Sequence, residues 1–162
     1  MITGIALGSN MGDRLLRLQE ARDELAARYG NVRCSRVYET EPVGCEPGTV
    51  AFLNAVVEIE YSGQPSGLLK ELQSIEEKMG RPSRHPRNAP RTIDLDLLYA
   101  GNLVLCNESI TIPHPRLHLR RFVLEPLCDV HPDLTLPGQR ETVALLLAKL
   151  PPEPRARIFG FL

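Results

Sequence analysis

Two aspartates in an apolar segment could together bind a divalent cation. Residues 91–98 read Arg-Thr-Ile-Asp-Leu-Asp-Leu-Leu, and this alternation of apolar and acidic residues is typical of a β-strand. Because successive side chains of a strand point to opposite faces, Asp94 and Asp96 are expected on one face and the leucine between them on the other. Their Cα atoms would lie roughly 7 Å apart, so the carboxylates could bind one Mg²⁺ or bridge two. A strand with a merely solvated acidic face would show the same pattern.

An arginine-rich segment leads directly into these aspartates. Residues 81–91 contain four arginines, three prolines and no acidic residue, and the prolines favour a loop because they remove backbone donors. Arginine binds phosphate oxygens through a planar pair of N–H groups. Beside a carboxylate pair, the segment therefore predicts a polyphosphate site in which Mg²⁺ and arginine share the charge. An RNA-binding basic patch, or a loop without a ligand, would have the same composition.

The composition favours a single globular domain over residues 1–162. The chain is 43% hydrophobic, and its formal net charge of -1 argues against a general nucleic-acid binder. Its four cysteines are scattered without a C-x-x-C pair, so we expect reduced thiols in a cytoplasmic protein. The chain shows neither a signal peptide nor a membrane span, so no membrane partner is expected.

The hydrophobic periodicity predicts alternating strands and helices with a mostly antiparallel sheet. Strands are predicted at 2–8, 32–38, 52–61, 91–98, 103–106 and 110–112, and helices at 14–29, 65–79, 123–127 and 142–150. Asp13 is the predicted N-cap of the first helix. The Pro- and Gly-rich segment 39–48 is predicted to be a functional loop, and the chain from Pro151 a loosely packed end. Neither a P-loop nor a dinucleotide-binding glycine motif occurs in the chain.

Three polar residues outside the acidic strand and the arginine-rich segment are also candidate ligand contacts. Asn54 lies among apolar neighbours near a strand start, where its amide could pair with ring nitrogens and a carbonyl of a ligand, or could be an ordinary turn-linked asparagine. Gln73 and Glu76 share one edge of a predicted helix close to the arginine-rich segment. They could face a ligand or simply be solvated.

Several motifs occur in the order found in one enzyme family. They are Gly8-Ser9-Asn10, Tyr38-x-Thr40-x-Pro42-x-Gly44, Phe52-Leu53-Asn54-Ala55, Gly80-Arg81, Ala89-Pro90-Arg91-Thr92-Ile93-Asp94-Leu95-Asp96, Pro113-His114 and Arg120-x-Phe122. Over nearly its whole length the chain resembles the 6-hydroxymethyl-7,8-dihydropterin pyrophosphokinase family of folate biosynthesis. The resemblance implies an α+β fold. It is a three-layer α/β/α sandwich with a ferredoxin-like core, a mostly antiparallel sheet of about six strands, and about four helices.

The resemblance also implies an activity and its partners. The expected reaction transfers the pyrophosphoryl group of ATP to the hydroxymethyl oxygen of 6-hydroxymethyl-7,8-dihydropterin and releases AMP. A monomer that binds these two small molecules is expected. Two Mg²⁺ ions would be held by Asp94 and Asp96.

Position by position, the resemblance assigns further roles. The expected catalytic residues are Arg81, Arg91, Asp94 and Asp96. Residues expected to bind the pterin are Thr40, Pro42, Val43, Phe52, Asn54 and Phe122. Residues expected to bind the nucleotide are Gln73, Glu76, Arg81, Arg91, Thr111, His114 and Arg120.

The chain departs from the family pattern inside the arginine-rich segment. Asn88 stands where well-known members carry tryptophan, and Ser83 stands where they carry an arginine. We expect Arg84 or Arg87 to replace that arginine. Two other readings stay open: a nucleotide-binding or regulatory module of the same fold without turnover, and a Mg²⁺-dependent phosphodiesterase.

Overall fold

The computed structural model describes residues 1–42, 46–81 and 91–162. The helices are α1 (Arg14–Tyr29), α2 (Pro65–Lys78), α3 (Arg121–Val130) and α4 (Val143–Lys149), with a short 3-10 helix at Leu117–Leu119. The strands are β1 (Ile2–Ser9), β2 (Val32–Cys34), β3 (Arg36–Thr40), β4 (Phe52–Glu60), β5 (Asp94–Ala100), β6 (Leu105–Cys106), β7 (Thr111–Ile112) and β8 (Ala156–Phe161).

The main sheet has six strands in the order β5-β1-β4-β3-β8, and β2 pairs with β4 beside β3. Each of these pairs is antiparallel. With α1 and α2 as the connections, the order β5-β1-β4-β3 is that of a ferredoxin-like core. The expected α+β sandwich with a mostly antiparallel sheet is therefore confirmed, with four α-helices in the described residues.

Two hydrophobic cores lie on opposite faces of this sheet. Helix α1 buries Leu18, Ala21 and Leu25 at helical spacing against one face, where α2 packs beside it. Helices α3 and α4 cover the other face. Each leucine that becomes fully buried contributes about 1.5–3 kcal/mol, so the two cores fix the sheet between two helical layers.

Strand β5 contributes to both cores, and its alternation is interrupted near its end. Leu95 and Leu97 belong to the core under α1 and α2, whereas Leu98 and Tyr99 both belong to the core under α3. The pairing register of β1 with β5 shifts at this point, as expected for a β-bulge, which adds one residue to one strand.

The predicted strand 32–38 is wrong in its bounds, because Ser35 divides it into β2 and β3. The Ser35 N–H donates to the Val56 carbonyl, and the Ser35 hydroxyl accepts from the Val56 N–H, both at 2.9 Å. The side chain thus replaces a backbone acceptor of the ladder. Strand β3 then continues to Thr40, inside the segment predicted to be irregular from residue 39.

The prediction of a loosely packed end from Pro151 is also wrong. The chain ends in β8, which pairs with β3 from Ala156 opposite Thr40 to Phe161 opposite Arg36. Most β8 side chains are exposed, including Ile158 and Phe161. Backbone hydrogen bonding rather than burial fixes this strand, so hydrophobic patterning gives no signal for it.

In the described part of the chain, no helix is long and apolar enough to cross a membrane. Cys34, Cys106 and Cys128 are free thiols, as expected from their spacing, and Cys45 lies outside the described residues.

Candidate active site

The sheet register brings the key polar residues into one row. Gly8 of β1 lies opposite Asp94 on one side and opposite Asn54 on the other. Residues opposite each other in a sheet share a face, with Cβ atoms about 4.5–5.5 Å apart. Asp96 lies one pleat further along, opposite Ala6. The two aspartates therefore share the α3 face of the sheet, as the alternation predicts.

Both arginines that flank the Pro-rich segment converge on Asp94. The Arg81 guanidinium donates to Asp94 Oδ1 at 2.5 Å, and the Arg91 guanidinium donates to Asp94 Oδ2 at 2.7 Å. The side chains of Arg81, Arg91 and Asp94 are only 12%, 19% and 22% exposed. Solvent therefore screens these contacts weakly. A single carboxylate thus holds two cations close together at the edge of the cavity described below.

Glu76 of α2 holds the Arg81 side chain in place. Its carboxylate accepts hydrogen bonds from the Arg81 guanidinium and, at 2.7 Å, from the backbone N–H of Leu95. Burial raises the pKa of Glu76 to about 7, although both of these donors oppose the rise. Glu76 is therefore a buried residue that ties α2 and β5 to the arginine.

Asp96 has a different environment from its neighbour. Burial, reinforced by the negative charge of Asp94, raises the pKa of Asp96 to about 6, while Arg120, Arg81 and Arg91 oppose the rise. A buried carboxylate beside a second carboxylate favours a cation between them. The all-oxygen donor set of Asp94 and Asp96 fits Mg²⁺. Among the described residues, no group of three or more His, Cys, Asp or Glu side chains could hold a metal ion, so any further ligands would come from substrate or water.

An open cavity of about 840 Å³ lies over this row. Its walls come from β1, the ends of β3, β4 and β5, the segment around α3, and the chain before β8. Lining residues are Gly8, Thr40, Glu41, Pro42, Phe52, Asn54, Arg81, Arg91, Asp94, Asp96, His114, Arg116, Leu119, Arg120, Arg121, Phe122 and Pro154. The cavity therefore joins an arginine-carboxylate end to an end with aromatic and amide groups.

The amide end is built around Asn54. Its side chain is 8% exposed and donates to Thr40 Oγ1 at 2.8 Å, which leaves the amide oxygen directed over Gly8. Phe52 and Phe122 line the same cavity. Flat aromatic faces beside a fixed amide suit a planar heterocycle with its own donors and acceptors. Asn54 lies within β4, so it is not a turn-linked asparagine.

His114 is fixed by two backbone hydrogen bonds. The backbone N–H of His114 donates to the Leu98 carbonyl at 2.7 Å. The ring Nδ1 of His114 accepts from the backbone N–H of Arg116 at 3.2 Å. Burial lowers the pKa of His114, and the charges of Arg120 and Arg116 lower it further. The neutral ring therefore carries its proton on Nε2, which makes that atom a donor.

Not every predicted site residue lies at this cavity. Within the described ranges, Gln73, Glu76 and Thr111 do not line it. Gln73 is exposed on α2, and Thr111 lies in β7. Val43, and the loop residues Arg84 and Arg87, lie outside the described residues.

The structure adds residues that sequence reasoning did not assign to the site. Asn10 hydrogen-bonds to the backbone of Arg91. Gly8 lies between Asp94 and Asn54 in the sheet. Both belong to a motif already noticed in the sequence. Arg116 and Arg121 come from the basic segment 114–122, whereas Pro154 comes from a segment without any sequence signal.

Comparison with known proteins identifies the family of the chain. The family model described as 7,8-dihydro-6-hydroxymethylpterin-pyrophosphokinase (HPPK) matches residues 4–132, most of the chain. The chain belongs to the HPPK family. It is 44% identical over 131 residues to 2-amino-4-hydroxy-6-hydroxymethyldihydropteridine pyrophosphokinase of Bacillus subtilis, covering 80% of this chain and 77% of that protein.

Other similar proteins differ in length. The pyrophosphokinase of Methylorubrum extorquens is 40% identical over 156 residues and matches along 95% of this chain and 96% of its own. The Folic acid synthesis protein fol1 of Pneumocystis carinii is 37% identical, but the chain spans only 20% of its length. A crystal structure of Plasmodium falciparum HPPK-DHPS with pteroate superposes with a TM-score of 0.71 at 16% identity, covering 91% of this chain and 42% of that one. That last likeness supports the fold alone.

Proposed function

We propose that this chain transfers the pyrophosphoryl group of ATP to the hydroxymethyl oxygen of 6-hydroxymethyl-7,8-dihydropterin, giving the pterin diphosphate and AMP in tetrahydrofolate biosynthesis. Membership of the HPPK family supports this reaction. The observation that carries the proposal is the convergence of Arg81 and Arg91 on Asp94, beside Asp96, in a cavity that also contains Asn54.

The arginine-carboxylate end is proposed to bind the phosphates. Asp94 bridges Arg81 and Arg91, and Glu76 also pairs with Arg81. A triphosphate offers these guanidinium groups several charged acceptors, and paired N–H donors bind such oxygens strongly. Transfer of the arginines to phosphate would free the Asp94 oxygens for a cation. The arginines then lie where negative charge accumulates as AMP departs.

Asp94 and Asp96 are proposed to hold Mg²⁺, two ions as the resemblance implies. Mg²⁺ bound there would neutralise phosphate charge and lower the pKa of the attacking hydroxyl. The buried carboxylate of Asp96, whose pKa is raised by burial and by Asp94, supports a cation requirement. Titration of the protein with MgCl₂ in the presence of an unreactive ATP analogue, followed by calorimetry, would give the number of ions.

The amide end is proposed to bind the pterin. The Asn54 amide, fixed by Thr40, can read the ring's donors and acceptors, and Phe52 and Phe122 can contact its faces. Pro42 lines the cavity, and Val43, as the resemblance implies, is assigned to the same proposed pocket. This arrangement would place the hydroxymethyl group towards the arginine end.

The chemistry needs alignment more than a strong base. The pterin hydroxymethyl oxygen forms a bond to the β-phosphorus, and the bond from that phosphorus to the oxygen of the leaving AMP breaks, with loss of the hydroxyl proton to solvent. The protein supplies orientation and charge, which dominate catalysis of phosphoryl transfer. His114 and Arg120, which line the cavity, would help to hold ATP. The chain is proposed to act as a cytoplasmic monomer.

One incubation tests the reaction. The protein is mixed with ATP, MgCl₂ and 6-hydroxymethyl-7,8-dihydropterin, and the products are separated by chromatography. AMP and the pterin diphosphate should form in equal amounts, and EDTA should abolish both. Formation of ADP, or hydrolysis of ATP that is independent of the pterin, would contradict the proposal. A regulatory module would bind ATP without turnover.

A further inference from the structure

Arg121 joins the start of α3 to the chain that follows α4. Its Nε donates to the Pro151 carbonyl at 3.0 Å, and its Nη2 donates to the carbonyls of Leu150 and Pro151 at 3.0 and 2.9 Å. Its Nη1 pairs with Glu125 at 2.7 Å within α3. The Arg121 side chain is only 16% exposed. One guanidinium thus uses all three nitrogens to fix two helices relative to the following segment.

The segment held in this way forms part of the cavity wall. Residues 150–155 connect α4 to β8, and Pro154 within them lines the cavity together with Arg121. Immediately beyond, Ala156 lies opposite Thr40, which bonds to Asn54. The 150–155 segment therefore borders the amide end of the cavity rather than the arginine-carboxylate end.

Apart from Leu150, which packs against the core under α3, the side chains of this segment are exposed. The ion pair of Glu153 with Arg155 is local, and both side chains are about two-thirds exposed, at 68% and 65%. Such exposed pairs contribute little. The bonds from Arg121 instead span about 30 positions along the chain, from a helix buried against the sheet. Charged donors to carbonyls are also stronger than neutral ones.

We propose that Arg121 is a positioning residue that holds residues 150–155 in place as the wall of the pterin-binding end of the cavity. The role of the segment in binding pterin rests on the proposed function, whereas the attachment of the segment by Arg121 does not. Loss of the guanidinium would let the segment move away from the amide end, so the pterin would lose part of its binding surface. The arginines and carboxylates at the other end of the cavity would stay in place.

Limited proteolysis tests the attachment without reference to activity. Trypsin can cleave after Arg155 and Arg157 in the attached chain, and after Arg33 in β2, whose cleavage requires the sheet to open. In Arg121→Ala, cleavage after Arg155 should become roughly tenfold faster, because local opening requires fewer hydrogen bonds to break. Cleavage after Arg33 should stay within about twofold, because the sheet remains closed. Mass spectrometry of the fragments gives both rates from one digest.

Two further variants separate the attachment from a general loss of structure. Arg121→Lys keeps the charge but provides a point donor in place of the fork, so an intermediate cleavage rate is expected. Glu125→Gln removes the ion pair within α3 and keeps the bonds to residues 150 and 151. It should behave like the wild type. If Arg121→Ala fails to fold, the Arg121→Lys and Glu125→Gln pair still decides the matter.

Steady-state kinetics tests the effect on the pterin. For Arg121→Ala the KM for the pterin should rise about tenfold, while kcat and the KM for ATP change less than about threefold, because a wall acts on binding alone. Arg121→Lys should recover part of the pterin KM. A purely structural role would lower the active fraction and so kcat, without a selective change in KM.

The possible outcomes lead to different conclusions. Unchanged cleavage after Arg155 together with an unchanged pterin KM overturns the proposal and leaves the proposed reaction intact. Faster cleavage with an unchanged pterin KM overturns the wall but retains the attachment. If trypsin cleaves the wild-type protein as expected but the protein does not turn over the pterin, the proposed function and the pterin assignment are overturned. The cleavage rates then still decide the attachment.

Discussion

Asn10 and Arg91 are joined by two hydrogen bonds through the backbone of the arginine. The side-chain oxygen of Asn10 accepts from the Arg91 N–H at 2.9 Å, and the Asn10 N–H donates to the Arg91 carbonyl at 3.3 Å. Asn10 follows the last residue of β1 and is 4% exposed. The end of one central strand therefore fixes the backbone from which Arg91 reaches Asp94.

Replacement of Asn10 by alanine should weaken the placement of Arg91. The half-buried N–H of Arg91 would lose its acceptor, which costs about 1–3 kcal/mol of stability, and turnover should fall about tenfold because Arg91 is displaced from its position. Asn10→Asp keeps an oxygen acceptor at the same place and should lose less of both. Urea unfolding and steady-state assays measure the two effects. Equal losses in the two variants would show that the hydrogen bond is not responsible.

Removal of the charge of Asp96 or of Arg81, at the arginine-carboxylate end of the cavity, should slow the chemical step itself. Asp96→Ala and Arg81→Ala should each reduce the single-turnover rate by roughly 10²-fold or more, because charge stabilisation of this kind contributes several kcal/mol. The fold should survive, which circular dichroism can establish. An unchanged single-turnover rate in rapid-quench experiments would refute the assignment of that residue.

Gly8 leaves open the space between the two ends of the cavity. A Cβ at this position would lie 3.4 Å from the Asn54 amide oxygen and 3.9 Å from Asp94 Cβ. Gly8→Ala should therefore fold, but raise the KM for the pterin about tenfold by restricting the Asn54 amide. In the control Gly160→Ala the new Cβ has no neighbour within 4 Å, and kinetics should not change. A pterin KM unaffected by Gly8→Ala would place the ring elsewhere.

Glu76 should matter for stability more than for ATP binding. Glu76→Ala leaves the Leu95 N–H and the Arg81 guanidinium without this acceptor, so the free energy of unfolding should fall by about 2–4 kcal/mol. Glu76→Gln can still accept from Leu95 and should lose less. Denaturant titration measures the difference. A raised KM for ATP at unchanged stability would instead support the predicted nucleotide contact.

Asp129 gives the stability a defined pH dependence. Burial opposes the shift, but hydrogen bonds from Arg36 and Tyr38 outweigh it and lower the pKa of Asp129 below its ordinary 3.8. The contact is thus fully present above about pH 4, and is lost as the pH falls through the lower pKa of the folded protein. Asp129→Asn should cost about 1–2 kcal/mol at pH 7.

The stability difference between wild type and Asp129→Asn should stay constant from pH 7 to about pH 5 and shrink below about pH 4. The exposed Asp133 provides a matched control, because Asp133→Asn should show no such difference. Urea unfolding at several pH values measures both. A difference that grows as the pH falls would contradict the sign of the shift.

Local sequence predicted the parts of the fold that depend on side-chain burial. Leu18, Ala21 and Leu25 marked the buried face of α1, and Asp13 its N-cap, whose carboxylate accepts from the Leu16 N–H. The limits of β3 and the existence of β8 could not be predicted in this way. They depend on Ser35 and on backbone pairing at a sheet edge, which leave no hydrophobic period in the sequence.

By itself, the sequence determined the acidic pair and its face, because alternation in a strand is a local property of the backbone. It also determined the arginines at 81 and 91 and the family motifs. Only the tertiary structure decided that both arginines share one carboxylate, that Glu76 lies beneath Arg81 rather than along the cavity, and that Arg121 and Pro154 meet at its wall. Those relations join residues from separate elements, and they arise when packing and sheet register bring these elements together.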